Sequence, residues 1–291
     1  MGARFVRIEV RAAEPELAAR AAAAAFAAGA AGLEEREGGL LLVYAPEPEA
    51  RAVGRALDAL GQAGLRVAPA APVEDRDWSL AWREGLRAHE VGERLRVRPS
   101  WLEPGPPGRS ELVIDPGQAF GTGGHASTRL ALAELDALAP ALLRGARVLD
   151  VGTGSGVLAL AALRLGAARA VAFDLDPLAT RAARDNARAN ALASDLQVYT
   201  GPIGALRARR FDLVLANVLR AELEPVLPAV ARAVAQRGRL IGSGFLVSER
   251  ARVERAFAAS GLRIETTRQE DDPSGDAWLA LTARPAGPVP G

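Results

Sequence analysis

The chain contains no lysine and no cysteine; all 36 of its basic side chains are arginine. It has two histidines, His89 and His125, and three asparagines, Asn186, Asn190 and Asn217. Each shortage removes a chemistry. Without lysine there is no Schiff base, no pyridoxal-phosphate aldimine and no phosphate loop whose lysine reaches the terminal phosphates. Without cysteine there is no thiolate nucleophile, disulfide framework or thiolate-held metal, and two histidines argue against a multi-histidine centre, so no metal site is expected. The 36 basic residues face 35 acidic ones, and a net charge of +1 leaves no electrostatic footprint for long nucleic acid. No stretch reaches the ~18 consecutive apolar residues of a membrane span. Residues 4–10 read as a strand rather than a cleavable leader, so a cytoplasmic enzyme is expected. What survives is chemistry that relies on binding and orientation more than on a reactive side chain.

A length of 291 residues suggests two domains. Residues 4–10 alternate apolar and charged, 14–28 form an alanine-rich helix that stops at Gly29, and 32–37 and 40–44 flank Gly38-Gly39, a pair suited to a tight hairpin. A second helix over 48–60 and a run at 65–67 complete a βαββαβ pattern, the ferredoxin-like arrangement. Residues 73–110 read as a connector with its own structure. In it, Trp78 and Trp82 share a helix face, 94–97 is a strand, and 103–108 is a Pro/Gly loop. From residue 111 the period changes. Strands at 112–114, 147–151, 170–173, 196–199, 211–216 and 239–241 alternate with helices including 128–138, 177–190 and 248–260. Near-continuous apolar strands with crossover helices imply a parallel sheet covered on both faces. Runs at 262–267 and 277–282 suggest a closing edge hairpin.

Three segments carry chemistry. The first, Asp150-Val-Gly-Thr-Gly-Ser-Gly156, is a strand running into a glycine loop and a helix, with Asp174 about twenty residues on, where a carboxylate can bind ribose hydroxyls. A dinucleotide enzyme would show G-x-G-x-x-G. Here the third glycine comes one residue early and an acid precedes the loop, which favours a ligand with a cationic amino-acid end, S-adenosylmethionine. A nicotinamide dehydrogenase is the alternative. The second segment, Asp115-Pro-Gly-Gln-Ala-Phe-Gly-Thr-Gly-Gly-His-Ala-Ser-Thr128, is placed to fold over a cofactor as a lid, with Ser127 or Thr128 capping the helix that follows. The third is a strand from Phe211 that ends in Asn217-Val-Leu219, and strand ends hold the ligands of such sheets.

These three segments, in this order, resemble the PrmA family, the methyltransferases of ribosomal protein L11; the Asp77-Trp78 and Trp82-Arg83 pairs and the 94–101 segment resemble its linker. The resemblance spans residues 4–283. It implies an α/β fold, a class I S-adenosylmethionine-dependent methyltransferase with a Rossmann-like, mostly parallel seven-stranded sheet, preceded by a small α+β ferredoxin-like domain. The implied division is a substrate-recognition domain at 1–70, a linker at 71–106, a methyltransferase domain at 107–284 and a disordered tail at 285–291. S-adenosyl-L-methionine would be held by Thr128, Gly152, Asp174 and Asn217, with Phe120, Thr122, Gly123 and Gly154 from the same segments. Asn217 is the expected catalytic residue. The implied partner is ribosomal protein L11, methylated on its N-terminal α-amine and on lysines by a monomeric enzyme without direct nucleic-acid or membrane contact. Another protein or a small-molecule amine is the alternative substrate. Two departures from the family pattern stand out. Ser127 occupies a position commonly Thr, and the strand at 196–199 runs into Thr200-Gly-Pro-Ile203, with no acid for the adenine amine. An enzyme that methylates amines also finds no ε-amine on this chain to compete with its substrate.

Overall fold

Alternation decides the N-terminal sheet. Along β1 (Phe5–Ala12) every second side chain is buried. Val6, Ile8, Val10 and Ala12 face a core shared with Leu17, Ala21 and Ala25 of the helix Pro15–Ala27 and Val53 and Leu57 of the helix Ala50–Asp58. In the computed structural model the described residues are 5–12, 15–36, 40–60, 64–73, 87–115, 124–206, 210–272 and 275–287. The Gly38-Gly39 turn, the Trp78/Trp82 helix and the last four residues lie outside them. The strands β2 (Gly32–Arg36), β3 (Leu40–Pro46) and β4 (Leu65–Val67) complete an antiparallel sheet in the order β2-β3-β1-β4, the ferredoxin-like order. A fifth strand, β5 (Ala71–Val73), pairs with the first residues of β1, at the start of the segment expected as the linker 71–106. The proline inside it, Pro72, is compatible with a sheet margin because a margin leaves one side without ladder bonds.

The chain divides into two units, Met1–Gly85 and Leu86–Gly291. The second contains a three-stranded sheet of β6 (His89–Val91), β7 (Leu95–Arg98) and β8 (Ser110–Val113). The expected strand at 112–114 therefore belongs to this small sheet and not to the large parallel one. Its backbone pairs with β7 on one side, and side-chain amides serve the other, as described below.

The large sheet comprises β9 (Arg147–Val151), β10 (Arg169–Asp174), β11 (Leu196–Thr200), β12 (Phe211–Asn217), β13 (Val234–Leu246), β14 (Leu262–Asp271) and β15 (Ala277–Pro285), in the order β11-β10-β9-β12-β13-β15-β14. The first five strands are parallel, and β15 enters antiparallel beside β13, leaving β14 at the edge. Both faces are dry. Leu213 and Leu215 of β12 point into one core with Val148 and the helix Val157–Arg164, while Val214 and Ala216 point into the other with Leu149, Val230 and Phe257. Each buried leucine, valine and phenylalanine among them contributes about 1.5–3 kcal/mol by leaving water, which fixes the register of the strands.

Topology then locates a crevice. The chain moves outward from β9 through β10 to β11, then returns to place β12 on the other side of β9. Connections after β9 and β12 thus leave the sheet in opposite directions, and ligands of open α/β sheets bind at such a point.

Candidate functional site

At the carboxyl ends of β9, β10 and β12 lies a cleft of about 670 Å³, within the usual size for a small-molecule site. Gly152, Gly154, Asp174 and Asn217 line it together. Thr128 stands behind them, fully buried in the first turn of the helix Ala126–Ala137. Phe120, Thr122 and Gly123 fall outside the described residues.

The glycine loop is shaped by what sits against it. Gly152 has φ +66°, and a Cβ there would meet Val218 Cγ1 at 2.4 Å. Gly156, at φ +85°, caps the helix Val157–Arg164 in the left-handed region and lies against Ala183. Beneath the loop, Asp150 is wholly buried and does not line the cleft. Its Oδ2 accepts from Thr153 Oγ1 at 2.7 Å and Ala159 N at 3.3 Å, whereas Oδ1 has no hydrogen-bond partner among the described residues. Burial pushes its carboxyl up to about 6; the two hydrogen bonds oppose that rise and the charge of Asp174 adds to it. The acid before the loop thus braces the loop from below.

Asp174 ends β10 half-buried. Its Oδ2 accepts from Gly154 N at 2.9 Å and its Oδ1 from Asp176 N at 3.1 Å. Asp176 in turn caps the helix Pro177–Ala189 by accepting from Leu178 N. A carboxylate has about four acceptor positions, so Asp174 retains two for ligand hydroxyls while its orientation is set by the loop.

Asn217 ends β12, and its Nδ2 donates to Thr128 Oγ1 at 3.1 Å. The same corner is tightened twice more: Ser243 Oγ donates to Ser127 O at 2.8 Å, and Val218 N donates to Ser243 O. Gly244 follows at φ +88°, and a Cβ there would lie 2.5 Å from Val218 O. Val218 is therefore clasped between two glycines far apart in sequence, Gly152 and Gly244.

Neither Ser127 nor Thr128 caps the helix that carries them. His125 does, its Nδ1 accepting from Ser127 N. Both hydroxyl residues are buried within the first turn because the helix starts at Ala126, two residues earlier than a Ser127 cap would place it. His125 also lines the cleft and meets Trp278 of β15 edge-on at 4.7 Å.

Sequence reading missed Gly244 and Trp278, which come from distant elements. It also missed the other two asparagines. Asn190 Oδ1 accepts from Val113 N and its Nδ2 donates to Val113 O; Asn186 treats Asp115 N and O in the same way. The two amides take the place of a neighbouring strand for β8 and for the first residue of the glycine-rich segment. Asn186 Nδ2 also donates to Ser155 O, joining that segment's root to the glycine loop. Their spacing of four on one helix was the signal available in the sequence.

The donor set suits S-adenosylmethionine. Two glycines bare the backbone, Asp174 offers acceptors to a ribose, and apolar side chains line much of the remainder, among them Leu175 and Leu219, 72% and 55% exposed. Large exposed leucines facing one cleft mark a surface that gains from covering an aromatic base.

Comparison with known proteins agrees with this geometry. Residues 49–285 match the family model described as Ribosomal protein L11 methyltransferase (PrmA). The Ribosomal protein L11 methyltransferase of Pelobacter propionicus is 42% identical over 218 residues, covering 74% of this chain and 68% of that protein. That of Escherichia coli is 38% identical over 212 residues, covering 73% and 69%. The crystal structure of ribosomal protein L11 methylase from Lactobacillus delbrueckii subsp. bulgaricus, 28% identical, superposes with a TM-score of 0.61, covering 68% of this chain and 98% of that one. A match over most of the chain, on a switch-point cleft built from its own motif residues, places it: the chain belongs to the ribosomal protein L11 methyltransferase (PrmA) family.

Proposed function

We propose that the chain transfers methyl groups from S-adenosylmethionine to amines of ribosomal protein L11, its N-terminal α-amine and lysine ε-amines. The observation that carries methyl transfer is the fixed Asn217 amide at the switch point, on the same cleft as the glycine loop and Asp174. The family carries the substrate.

When bound, S-adenosylmethionine supplies an electrophilic methyl on a sulfonium; no covalent enzyme intermediate is needed, which suits a chain without lysine or cysteine. Gly152 and Gly154 would admit the cofactor against bare backbone, and Asp174 would accept its ribose hydroxyls. Because Asn217 gives its Nδ2 to Thr128, its Oδ1 is the atom left to accept from an incoming amine. An amine must be neutral to attack, and free lysine has a pKa of about 10.4. Val151, Val218 and Leu219 line the cleft and disfavour the ammonium form. Alignment of this kind accounts for roughly 7–11 kcal/mol of a barrier.

The N-terminal βαββαβ unit, residues 1–70 in this reading, recognises and presents the substrate, and residues 71–106 link it to a catalytic domain at 107–284. The compartment that goes with this reading is the cytoplasm. No helix among the described residues is long and apolar enough to cross a membrane.

The test is incubation of the enzyme and labelled S-adenosylmethionine with ribosomal proteins from cells lacking the modification, followed by mass spectrometry. Label on L11 at amines is the expected result. Label on another protein, or only on added small amines, would overturn the substrate.

A further inference from the structure

Among the described residues, the edge of the cofactor site at the end of β11 is lined by no acidic side chain. β11 ends at Thr200 and continues through Gly201, Pro202 and Ile203, the last two lining the cleft. Proline brings no N–H, isoleucine only an apolar side chain, and an adenine placed there would bury an exocyclic amine that needs an acceptor.

Among the described residues, three carboxylates line the cleft: Asp174, Asp176 and Glu222. The first two already hold backbone N–H groups of the loop and of a helix start. The Glu222 side-chain carboxylate has no hydrogen bond or ion pair with any described residue. Arg220, two residues away, is engaged with Glu224 and Glu249, each at 2.6 Å, and Arg252 is engaged with Glu224 at 3.0 Å. Glu222 sits on the short helix Arg220–Leu223, and the next helix, Leu227–Ala233, rests against the turn Ile203–Ala205. Ile203 and Val226 pack on the same core. Glu222, Val226, Pro202 and Ile203 line the same cleft.

We infer that Glu222 accepts the exocyclic amine of the adenine, in place of the acid absent from the end of β11. The inference rests on the proposed cofactor and adds a specificity-determining residue to it. An acceptor-only carboxylate favours a 6-amino purine and repels a 6-oxo one, so the base is read by one side chain.

The test is equilibrium binding of S-adenosylhomocysteine and of S-inosylhomocysteine, its 6-oxo counterpart, to the full chain by calorimetry. The wild type is expected to favour the adenine compound at least about tenfold, the range for a hydrogen bond to a charged group. Glu222→Ala should weaken S-adenosylhomocysteine about five- to twentyfold and leave S-inosylhomocysteine no weaker. Glu222→Gln, whose amide can both accept and donate, should bring the two affinities together while keeping the first. Equal binding of S-adenosylhomocysteine by wild type and Glu222→Ala would overturn the inference alone. So would unchanged cofactor affinity with a raised KM for L11, which would put Glu222 on the substrate amine. A wild type that binds neither compound would overturn the proposed function together with it.

Discussion

Asn217 Nδ2 and Thr128 Oγ1 are joined at 3.1 Å across 89 residues of sequence. The bond ties the end of a central strand to the buried first turn of the helix that follows the glycine-rich segment. It also decides which face of the Asn217 amide is presented to the cleft. Thr128→Val keeps the shape and removes the acceptor. The expected result is a fall in kcat of about tenfold with cofactor affinity within twofold, whereas Asn217→Ala should cost about a hundredfold or more in kcat, the scale for losing one positioned polar group. Steady-state kinetics with binding of S-adenosylhomocysteine separate the two effects. Intact turnover in Asn217→Ala would remove the positioning role.

Asp174 both orients the glycine loop and offers acceptors to a ribose. Asp174→Ala should weaken S-adenosylhomocysteine by about a hundredfold, since hydrogen bonds to a charged group are each worth about 1.5–3 kcal/mol. Calorimetry checks this, and an affinity within threefold of wild type would place the ribose elsewhere.

The two glycines that clasp Val218 should respond differently. Alanine at either must adopt a left-handed φ, costing about 1–2 kcal/mol. At Gly152 the obstacle is a side-chain methyl, so Val218→Ala should restore much of what Gly152→Ala loses in stability. At Gly244 it is the Val218 carbonyl oxygen, which cannot withdraw without moving the chain beside Asn217. Gly244→Ala is expected to be the more destabilising, and unrelieved by Val218→Ala. Denaturant unfolding of the four variants reads this directly.

Asn186 and Asn190 substitute for a strand. Replacing either with alanine leaves one backbone N–H and one C=O without these partners, for an expected loss of about 1–3 kcal/mol each. Thermal unfolding measures it. Asn186→Ala should also weaken cofactor binding, because that amide alone reaches Ser155 of the glycine loop.

Asp150 sets a pH dependence whose sign runs against that of the surface carboxylates. Its folded pKa of about 6 lies above the unfolded value near 3.9, so the folded state binds the extra proton between those two values. Stability therefore falls as pH rises from about 4 to about 6 and stays low above, a loss of about 3 kcal/mol in all. Glu249, held down chiefly by its hydrogen bond to Arg220 against the opposing effect of burial, loses stability instead as pH falls below the usual carboxylate range. Comparing wild type with Asp150→Asn isolates the first effect: only the wild type should gain melting temperature between pH 7 and pH 5. Parallel profiles would mean that Asp150 is ionised in the fold with little cost.

What the sequence determined by itself was local. Alternating burial in β1, apolar runs from β9 to β13, and glycines between a strand and a helix are properties of neighbouring residues, and each dictates an element. Asp174 and Asn217 were legible because both end apolar strands, and strand ends in a parallel sheet share one edge. Tertiary structure decided what depends on residues brought together from afar. It put 112–114 in a separate sheet, because that strand pairs with β7 on one side and is met on the other by the amide of Asn190, 77 residues away. It gave the helix cap to His125 and turned Thr128 inward to Asn217. It set Gly152 and Gly244 on either side of Val218, a distinction invisible in the sequence, because a glycine records the absence of a side chain but not what fills the space.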